Sequence, residues 1–490
     1  MPARLKSIAL ASSAALALSA CASVPGSSIP PGSPITPAEA QQGAEYHPQF
    51  IAQFGGEMTG PQATYVQQVG SNIAVQSGLA NSREAFDVTL LNSPVNNAFA
   101  VPGGYVYVTR QLVGLMNNEA ELAGVLGHEV GHVAARHSAR RQQTAQRNQI
   151  LGVLGAVVSG AVLGNSQLGS TLSRGILQGS QLLTLSYSRG QEIEADELGI
   201  QYLKSAGYDP RAMATLLQSL AMQNSLDAQL QGRGNATIPE WASTHPDPAS
   251  RVQNALAEAG NVTGITNRET FLQRIDGILY GDDPKQGIIE GNQFIHPELR
   301  LSFSAPQGFY MVNGTQAVSI NGDAGRAQLT TAAFNGNLDT YITSVFRSLG
   351  GEQQVLTPQS IARTTVNNLP AAYGTARVNN GQQQVDVTVF AYEFSNSQAY
   401  HFVSITPAGQ SGTFNSMYGS MRRISASEAS AVVPRRVDVI TAARADSVQT
   451  LAQRMAYENA QEARFRVLNG LQSNDQIVPG QQYKIIVRAN

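Results

Sequence analysis

The chain has 490 residues and contains little cysteine and little charge. Cys21 is its single cysteine, which excludes an intramolecular disulfide bond. Charged residues make up 13% of the chain and the net charge is −2, so the composition lacks the basic surface that nucleic-acid binding requires. A chain of this length is too long for one ordinary hydrophobic core, and roughly two to four domains are expected.

The N-terminus also lacks an apolar segment long enough for a membrane span. The run Ile8–Leu18 is apolar and uncharged, but a bilayer takes about 20 residues to cross. The sequence "LSAC" that ends at Cys21 resembles the lipobox of bacterial lipoproteins. This resemblance implies a signal peptide over residues 1–20 and lipidation of Cys21. Because Ala22 and not Asp follows, it implies a periplasmic protein anchored to the outer membrane of a Gram-negative bacterium. An ordinary signal peptide or a transmembrane anchor is the alternative.

The rest of the chain shows four segments of different composition. Residues 21–45 are rich in Pro, Ser and Gly and predict a flexible tether. Residues 46–280 are mainly helical in pattern, with one predicted strand at Gly103–Thr109. Alternating strand patterns and one amphipathic helix predict an α+β domain over residues 293–425, and residues 435–490 read as strand, helix, helix, strand. The predicted fold is therefore multidomain: a mainly α domain with a small sheet, an α+β sandwich-like domain and a βααβ domain.

The segment "LGHEVGHVAARH", Leu126–His137, carries the strongest chemical signal. His128 and His132 are four residues apart, so on a helix they share one face and can bind one metal ion. Glu129 lies beside them and can hydrogen-bond a water molecule at that ion. The HExxH pattern therefore predicts a catalytic zinc site, which needs three protein ligands and one open position. A plain surface helix is the alternative, and the apolar surroundings of the motif argue against it.

Two candidates exist for the third ligand. His137 is five residues past His132, which on a continuing helix is about 140° around the axis. We therefore predict that His137 is not a ligand but a polar residue near the helix C-terminus. Further along, "SRGQEIEADELG" places Glu192 and Asp196 on one helix face. We predict that Glu192 binds zinc and that Asp196 accepts a hydrogen bond from the far nitrogen of a zinc-bound histidine. For this pair alone, a solvated acidic face is the alternative.

Four segments occur in an order that resembles a known family. They are "NAFAVPGGYVYVTR", "NEAELAGVLGHEVGHVAARH", "SRGQEIEADELG" and "STHPDPASR". The order is similar to that of gluzincin zinc metalloendopeptidases of the HtpX and CAAX-prenyl-protease family, and most similar to their soluble, BepA-like branch. The resemblance implies a zincin-type fold for residues 46–280, the zinc ligands His128, His132 and Glu192, and Glu129 as the catalytic base. A 34-residue repeat, which BepA-like proteins carry after the catalytic part, is not found in this sequence.

The catalytic and substrate-binding roles of other segments can also be predicted. His245 and Arg251 are candidate hydrogen-bond donors to the oxyanion, and His245 could instead occupy the open zinc position in a latent state. If the strand Gly103–Thr109 lies at a sheet edge, an extended peptide can pair with it. This would favour unfolded or misfolded envelope proteins as substrates. The predicted function is therefore envelope-protein degradation, and the alternative is a non-catalytic assembly chaperone or a peptidoglycan-binding scaffold.

The C-terminal half gives weaker functional signals. Residues 435–490 are similar to a LysM module, which implies binding to peptidoglycan. Residues 293–425 resemble Mog1/PsbP-like sandwiches, and we assign them no chemistry. His296 and His401, which lie in this segment, are predicted to be structural and not to bind metal.

Overall fold

A computed structural model describes residues 32–138, 140, 187–230, 245–350, 356–379 and 384–489. Cys21, the predicted signal peptide and residues 21–31 of the predicted tether lie outside these ranges. Helix α1 (Pro37–Gln53) begins inside the predicted tether, so the folded part starts before residue 46. The helix begins there because Thr36 and Glu39 form a capping box and Pro37 occupies its first turn.

Helices and one small sheet form the first region of the chain. The further helices are α2 (Pro61–Ala74), α3 (Arg110–Leu115), α4 (Glu119–Ala134), α5 (Arg189–Ser205), α6 (Ala212–Leu230), α7 (Pro248–Ala259) and α8 (Arg268–Ile275). The strands are β1 (Asp87–Leu91), β2 (Ala98–Val101), β3 (Tyr105–Thr109) and β4 (Leu279–Tyr280). Their large common core is built around α4, every residue of which is buried.

The small sheet has the order β1-β3-β2. Strand β3 pairs in parallel with β1 and antiparallel with β2. The condition for peptide pairing with the segment Gly103–Thr109, a position at the sheet edge, is therefore not met: β3 is central, and β2 lies at the edge. The side chains of β3 alternate as predicted, because Val106 and Val108 enter the large core whereas Tyr107 packs against α1 on the other face.

Helix α4 begins at the predicted cap and packs very closely on α5. The side-chain oxygen of Asn118 accepts a hydrogen bond from the backbone N–H of Glu121 at 2.9 Å. A Cβ atom added at Gly131 would lie 3.1 Å from the carbonyl oxygen of Ala195, and one added at Gly199 would lie 3.0 Å from the backbone nitrogen of His128. Glycine at these positions lets the two backbones approach and brings their polar side chains together.

The middle of the chain is rich in β-structure. Its strands are β5 (Ile288–Glu290), β6 (Gln293–His296), β7 (Leu301–Ser304), β8 (Tyr310–Asn313), β9 (Val318–Gly322), β10 (Gly325–Thr331), β11 (Ile361–Val366), β12 (Leu369–Asn379), β13 (Gln384–Ser395), β14 (Gln398–Pro407) and β15 (Arg422–Arg423). Its helices are α9 (Leu338–Gly350), α10 (Asn415–Ser420) and α11 (Ala426–Ser430). A seven-stranded antiparallel sheet has the order β11-β12-β13-β14-β10-β9-β8, and a smaller sheet has the order β15-β7-β6-β5. Helix α9 packs on one face of the large sheet, and aromatic residues form a second core on its other face.

The last elements are β16 (Arg435–Thr441), α12 (Val448–Ala452), α13 (Gln461–Leu468) and β17 (Gln482–Arg488). Their order is the predicted strand, helix, helix, strand, and β16 pairs with β17. Strand β16 also pairs with β4, and Val437, Phe465 and Ile485 belong to the same core as α4. The unit is therefore not the separate domain that the sequence suggested, because its apolar face is buried against the first region.

None of the helices within the described ranges has the length and apolar character needed to cross a membrane.

Candidate metal centre

Three segments distant in the sequence contribute the polar side chains of one buried cluster. Helix α4 presents His128, Glu129 and His132, and the first turns of α5 present Glu192 and Asp196. His245 and Arg251 come from the start of α7, which Asp247 caps. The structure thus brings together every residue that the sequence analysis placed near the zinc.

Four of these side chains lie close enough to bind one ion. Each residue offers one possible ligand atom, and these four atoms all lie within 4.8 Å of one another. The residues are His128, His132, Glu192 and His245. The Nε2 atoms of His128 and His132 are 3.0 Å apart. Those two atoms lie 3.6 and 3.5 Å from the carboxylate oxygens of Glu192. His245 was predicted as a donor to substrate or as an occupant of the open position, and its Nδ1 lies 3.2 Å from Glu192.

The electrostatics of the cluster follow from its burial. Burial lowers the pKa of His128 and lowers that of His132 still further, so both imidazoles are neutral and have a lone pair to offer. Burial by itself would raise the pKa of Glu192, but the charge of His245 and hydrogen bonds from His132 and His245 hold it well below its usual value. The centre therefore combines neutral imidazoles with an ionised carboxylate.

Glu129 differs from Glu192 although both are buried. Burial raises the pKa of Glu129 to about 8, and nearby His245 offsets only part of this effect. Its Oε1 atom makes no hydrogen bond with any residue in the described ranges, and the Nε2 of His245 lies 3.4 Å away. A buried carboxylate oxygen without a hydrogen bond is costly unless a proton, a water molecule or a substrate meets it.

A second layer of contacts holds the candidate ligands. The Nδ1 of His128 lies 2.8 Å from a carboxylate oxygen of Asp196, the partner predicted for a zinc histidine. The guanidinium of Arg251 donates to Asp196 at 2.7 and 2.6 Å and also to Glu192. Arg251 is 1% exposed. The oxyanion-donor role predicted for Arg251 is therefore not supported, since all three of its nitrogen atoms are bonded to carboxylates that it positions.

The position of His137 differs from the sequence-based expectation. Helix α4 ends at Ala134, and the chain turns through Arg136, whose φ is 55°. Because the helix does not continue, His137 folds back and its Nδ1 lies 2.7 Å from the Nδ1 of His132. Its other nitrogen is 3.1 Å from a carboxylate oxygen of Glu194 on α5. His137 is outside the ligand set, as predicted, but it contacts a ligand from behind.

Sequence reasoning missed two features near the site. The ring of Tyr187 stacks on His132, with ring centres 3.8 Å apart and an angle of 14° between the planes. Arg136 pairs with Glu39 and donates to the backbone carbonyl of Ser33 at 2.8 Å, so the segment before α1 covers the end of α4. Neither contact has a local sequence signal, because each joins residues about fifty or more positions apart.

The described structure leaves little open space at the centre. The five residues His128, Glu129, His132, Glu192 and His245 are each at most 3% exposed. A cavity of about 40 Å³ beside His132 is also lined by Ala100, Pro102 and Tyr187. This volume holds about one water molecule, so a peptide can reach the centre only if neighbouring groups move.

The donor set fits a zinc ion. Two facing imidazole nitrogens and an ionised carboxylate are the ligands that catalytic zinc sites use. Asp196 and Arg251 hold the outer atoms of these groups, and a cation between the groups would stabilise the close approach of their lone pairs and charges.

Comparison with known proteins points to the same region. Residues 61–259 match the family described as Peptidase family M48. Over 202 residues the chain is 38% identical to a beta-barrel assembly-enhancing protease of Yersinia pestis, a match that covers 40% of this chain and 39% of that protein. The protein of the same name from Escherichia coli (strain K12) is 35% identical with the same coverage. A mitochondrial metalloendopeptidase OMA1 of Arabidopsis thaliana is 34% identical over 175 residues, which is 36% of this chain and 32% of that protein.

The chain spans about two fifths of the length of the beta-barrel assembly-enhancing proteases that it matches. The matched segment contains α2 to α7 and thus all of the candidate ligands. The match to peptidase family M48 therefore covers the part of the chain that holds the candidate metal centre.

Proposed function

We propose that this protein is a zinc-dependent metalloendopeptidase of the bacterial cell envelope that degrades misfolded or stalled envelope proteins. One observation carries the proposal. The imidazoles of His128 and His132 and the carboxylate of Glu192 converge next to Glu129, whose Oε1 makes no hydrogen bond with a described residue. The finer assignment to the HtpX and CAAX-prenyl-protease family, BepA-like branch, is part of the proposal and rests on the four ordered sequence segments.

In the proposed reaction, the residues of the centre have different roles. His128, His132 and Glu192 would hold the zinc, which when bound supplies a Lewis acid for peptide hydrolysis. Glu129 accepts a proton on Oε1 from the attacking water and later passes it to the leaving amine. Burial raises the pKa of Glu129, so its carboxylate takes up a proton more readily than an exposed glutamate does. Asp196 fixes the orientation of His128, and Arg251 keeps Asp196 and Glu192 in place.

His245 has two possible positions in this scheme. In the described structure its Nδ1 lies 3.2 Å from Glu192 and 3.3 Å from the Nε2 of His128, among the candidate ligands. His245 must leave these contacts before it can donate a hydrogen bond to a substrate oxyanion. In a latent state, His245 would occupy the open position of the zinc, as the sequence analysis proposed.

Strand β2 offers a way to hold an extended substrate. One side of β2 pairs with β3, and its other side has no partner strand in the described part of the chain. Ala100 on β2 lines the same small cavity as His132. A peptide that pairs with β2 through its backbone would pass the candidate metal centre. Such pairing depends little on the side chains of the peptide, so many sequences could bind.

The catalytic proposal is tested with Glu129→Gln. We expect this variant to lose casein cleavage while its zinc content stays that of the wild type, because Glu129 handles a proton and does not hold the metal. Glu197→Gln makes the same chemical change at an exposed position of α5 and should cleave casein normally. Wild-type cleavage by Glu129→Gln would rule out this mechanism. A wild-type protein that binds zinc and suppresses aggregation but cleaves nothing would favour the chaperone alternative.

The location is proposed from the N-terminal sequence. Lipidation of Cys21 would anchor the chain to the outer membrane, facing the periplasm. Cys21→Ser should therefore move the protein from the membrane fraction to the soluble periplasmic fraction, measured by fractionation and immunoblotting. Continued sedimentation with outer membranes would show that another segment or partner anchors it.

Peptidoglycan is a further proposed partner, through the LysM-like residues 435–490. Because β16 and β17 belong to the core that surrounds α4, deletion of this unit would disturb the peptidase region as well. The suitable test is co-sedimentation of the full chain with purified peptidoglycan. Absence of binding would remove this partner from the proposal.

A further inference from the structure

A cavity of about 480 Å³ lies between α9 and the seven-stranded sheet of the middle region. Helix α9 packs on β12 and β13, and beside it the neighbouring strands β10 and β14 are less covered. The cavity is lined by Ser344, Val345 and Ser348 from the helix and by Gln328, His401 and Val403 from the strands. Its volume lies in the range of small-ligand sites, about 300–1,000 Å³.

Two polar side chains in the lining, Gln328 and His401, have hydrogen-bonding atoms that other described residues leave free. Gln328 is 6% exposed, and its side-chain amide makes no hydrogen bond with any residue that the structure describes. His401 is 3% exposed. Its Nδ1 lies 2.8 Å from the hydroxyl of Tyr341, whereas its Nε2 has no partner within the described ranges. Both side chains line the same cavity, so a ligand held there can form hydrogen bonds with them.

The lining is uncharged. Among the described residues that surround the cavity there is no Asp, Glu, Lys or Arg. Burial lowers the pKa of His401 to about 4, so its imidazole is neutral at pH 7. A charged ligand would lose its hydration without gaining an opposite charge. The cavity therefore selects a neutral ligand that carries both hydrogen-bond donors and acceptors.

We propose that this cavity binds a short, uncharged peptide segment through its backbone amide groups. The side-chain amide of Gln328 presents a donor and an acceptor side by side, which matches the C=O and N–H of an extended peptide. Small residues such as Thr330, Ala333 and Ser344 let a backbone approach, and Val345 with Val403 can receive an apolar side chain. An acetamido sugar carries a similar amide, but the described lining contains no Phe, Tyr or Trp ring to stack on a sugar.

The test uses the full chain with Glu129→Gln, so that the probe cannot be hydrolysed. The probe is N-acetyl-trialanine N-methylamide, followed through the methyl NMR signals of Val345 and Val403. Val437, in the other core, serves as the internal reference. We expect saturable shifts of the two cavity signals and no shift of the reference.

Two variants locate the binding. Gln328→Leu should weaken probe binding about tenfold, because two hydrogen bonds to the peptide are lost. Gln410→Leu makes the same change at an exposed position and should leave binding unchanged. Should Gln328→Leu fail to fold, Ser348→Trp fills the cavity from an exposed position of α9 and should abolish the shifts.

Three results would overturn the proposal. They are unshifted cavity signals, binding by Gln328→Leu equal to that of the control, and shifts produced by N,N′-diacetylchitobiose but not by the peptide. None of them depends on the metal centre, since the zinc content and casein cleavage of the wild type are measured separately.

Discussion

At the scale of single residues, the candidate centre depends on groups that touch the ligands from behind. His128 is held by Asp196 at 2.8 Å, and His132 is held by His137 at 2.7 Å. Each contact occupies the Nδ1 atom of the ring, so the Nε2 atoms of both histidines point to the same space. Asp196 and His137 therefore perform equivalent tasks although one comes from α5 and the other from the turn after α4.

We predict a graded loss of zinc from substitutions at these positions. Glu192→Ala should remove most of the metal, whereas His137→Ala and Asp196→Ala should each weaken zinc binding about 10–100-fold, as partners behind a metal ligand do. His296→Ala removes a histidine of the middle region and should leave zinc binding unchanged. Zinc competition with a chelator measures all four variants. If His137→Ala lost more zinc than Glu192→Ala, His137 and not Glu192 would be the third ligand.

At the scale of elements, the centre depends on how closely α4 and α5 approach. A Cβ atom at Gly199 would lie 2.8 Å from the end of the Met213 side chain and 3.0 Å from the backbone nitrogen of His128. The methionine can move, but the helix backbone that carries His128 cannot move without displacing the ligand. Gly199 therefore allows the short distance between α4 and α5, the two helices that supply the ligands.

Gly199→Ala should destabilise the fold and weaken zinc binding. Overpacking costs about 1–3 kcal/mol, and the higher helix propensity of alanine returns up to about 1 kcal/mol. Gly190→Ala is the matched control on the same helix, since nothing lies within 4 Å of its added Cβ, and it should leave the melting temperature unchanged or raise it. Calorimetry and zinc titration measure both variants. Equal behaviour of the two would contradict the role assigned to this contact.

At the scale of the whole molecule, the two ends of the described chain share one core. Lys484 on β17 is completely buried, and its ammonium donates to the carbonyls of Gly114 at 2.9 Å and Leu115 at 3.1 Å, and to that of Met116. These carbonyls lie at the end of α3, where helix geometry leaves them without partners. The C-terminal unit thus supplies hydrogen-bond donors to the last carbonyls of α3, the helix that directly precedes α4.

Lys484→Met should therefore destabilise the peptidase region and not only the C-terminal unit. The substitution keeps the apolar stem but leaves buried carbonyls unpaired, which costs about 3 kcal/mol. Lys285→Met, at an exposed position, should have almost no effect. We expect calorimetry to show a lower melting temperature for the transition that releases zinc. An unchanged zinc-linked transition would mean that residues 435–489 fold independently.

Much of the candidate site could be predicted from the sequence because its signals are local. The spacing of four residues places His128 with His132 on one face, and Glu192 with Asp196 on another, whatever surrounds the helices. The segment with His245 and Arg251 was also identified, although Arg251 proves to contact carboxylates and not the space for substrate. Asn118 and Ser188 cap α4 and α5 by contacts that span only three residues of the chain.

The sequence by itself determined the periodic features of this protein: the ligand faces of two helices, the alternation along β3 and the order of the last four elements. Only the tertiary structure decided which strand lies at the sheet edge, that His137 turns back onto His132, that Tyr187 stacks on His132 and that Lys484 joins the C-terminal unit to the end of α3. The physical reason is range. Periodicity and capping arise from backbone geometry within one element, whereas these contacts join residues whose separation is set by the packing of the whole core.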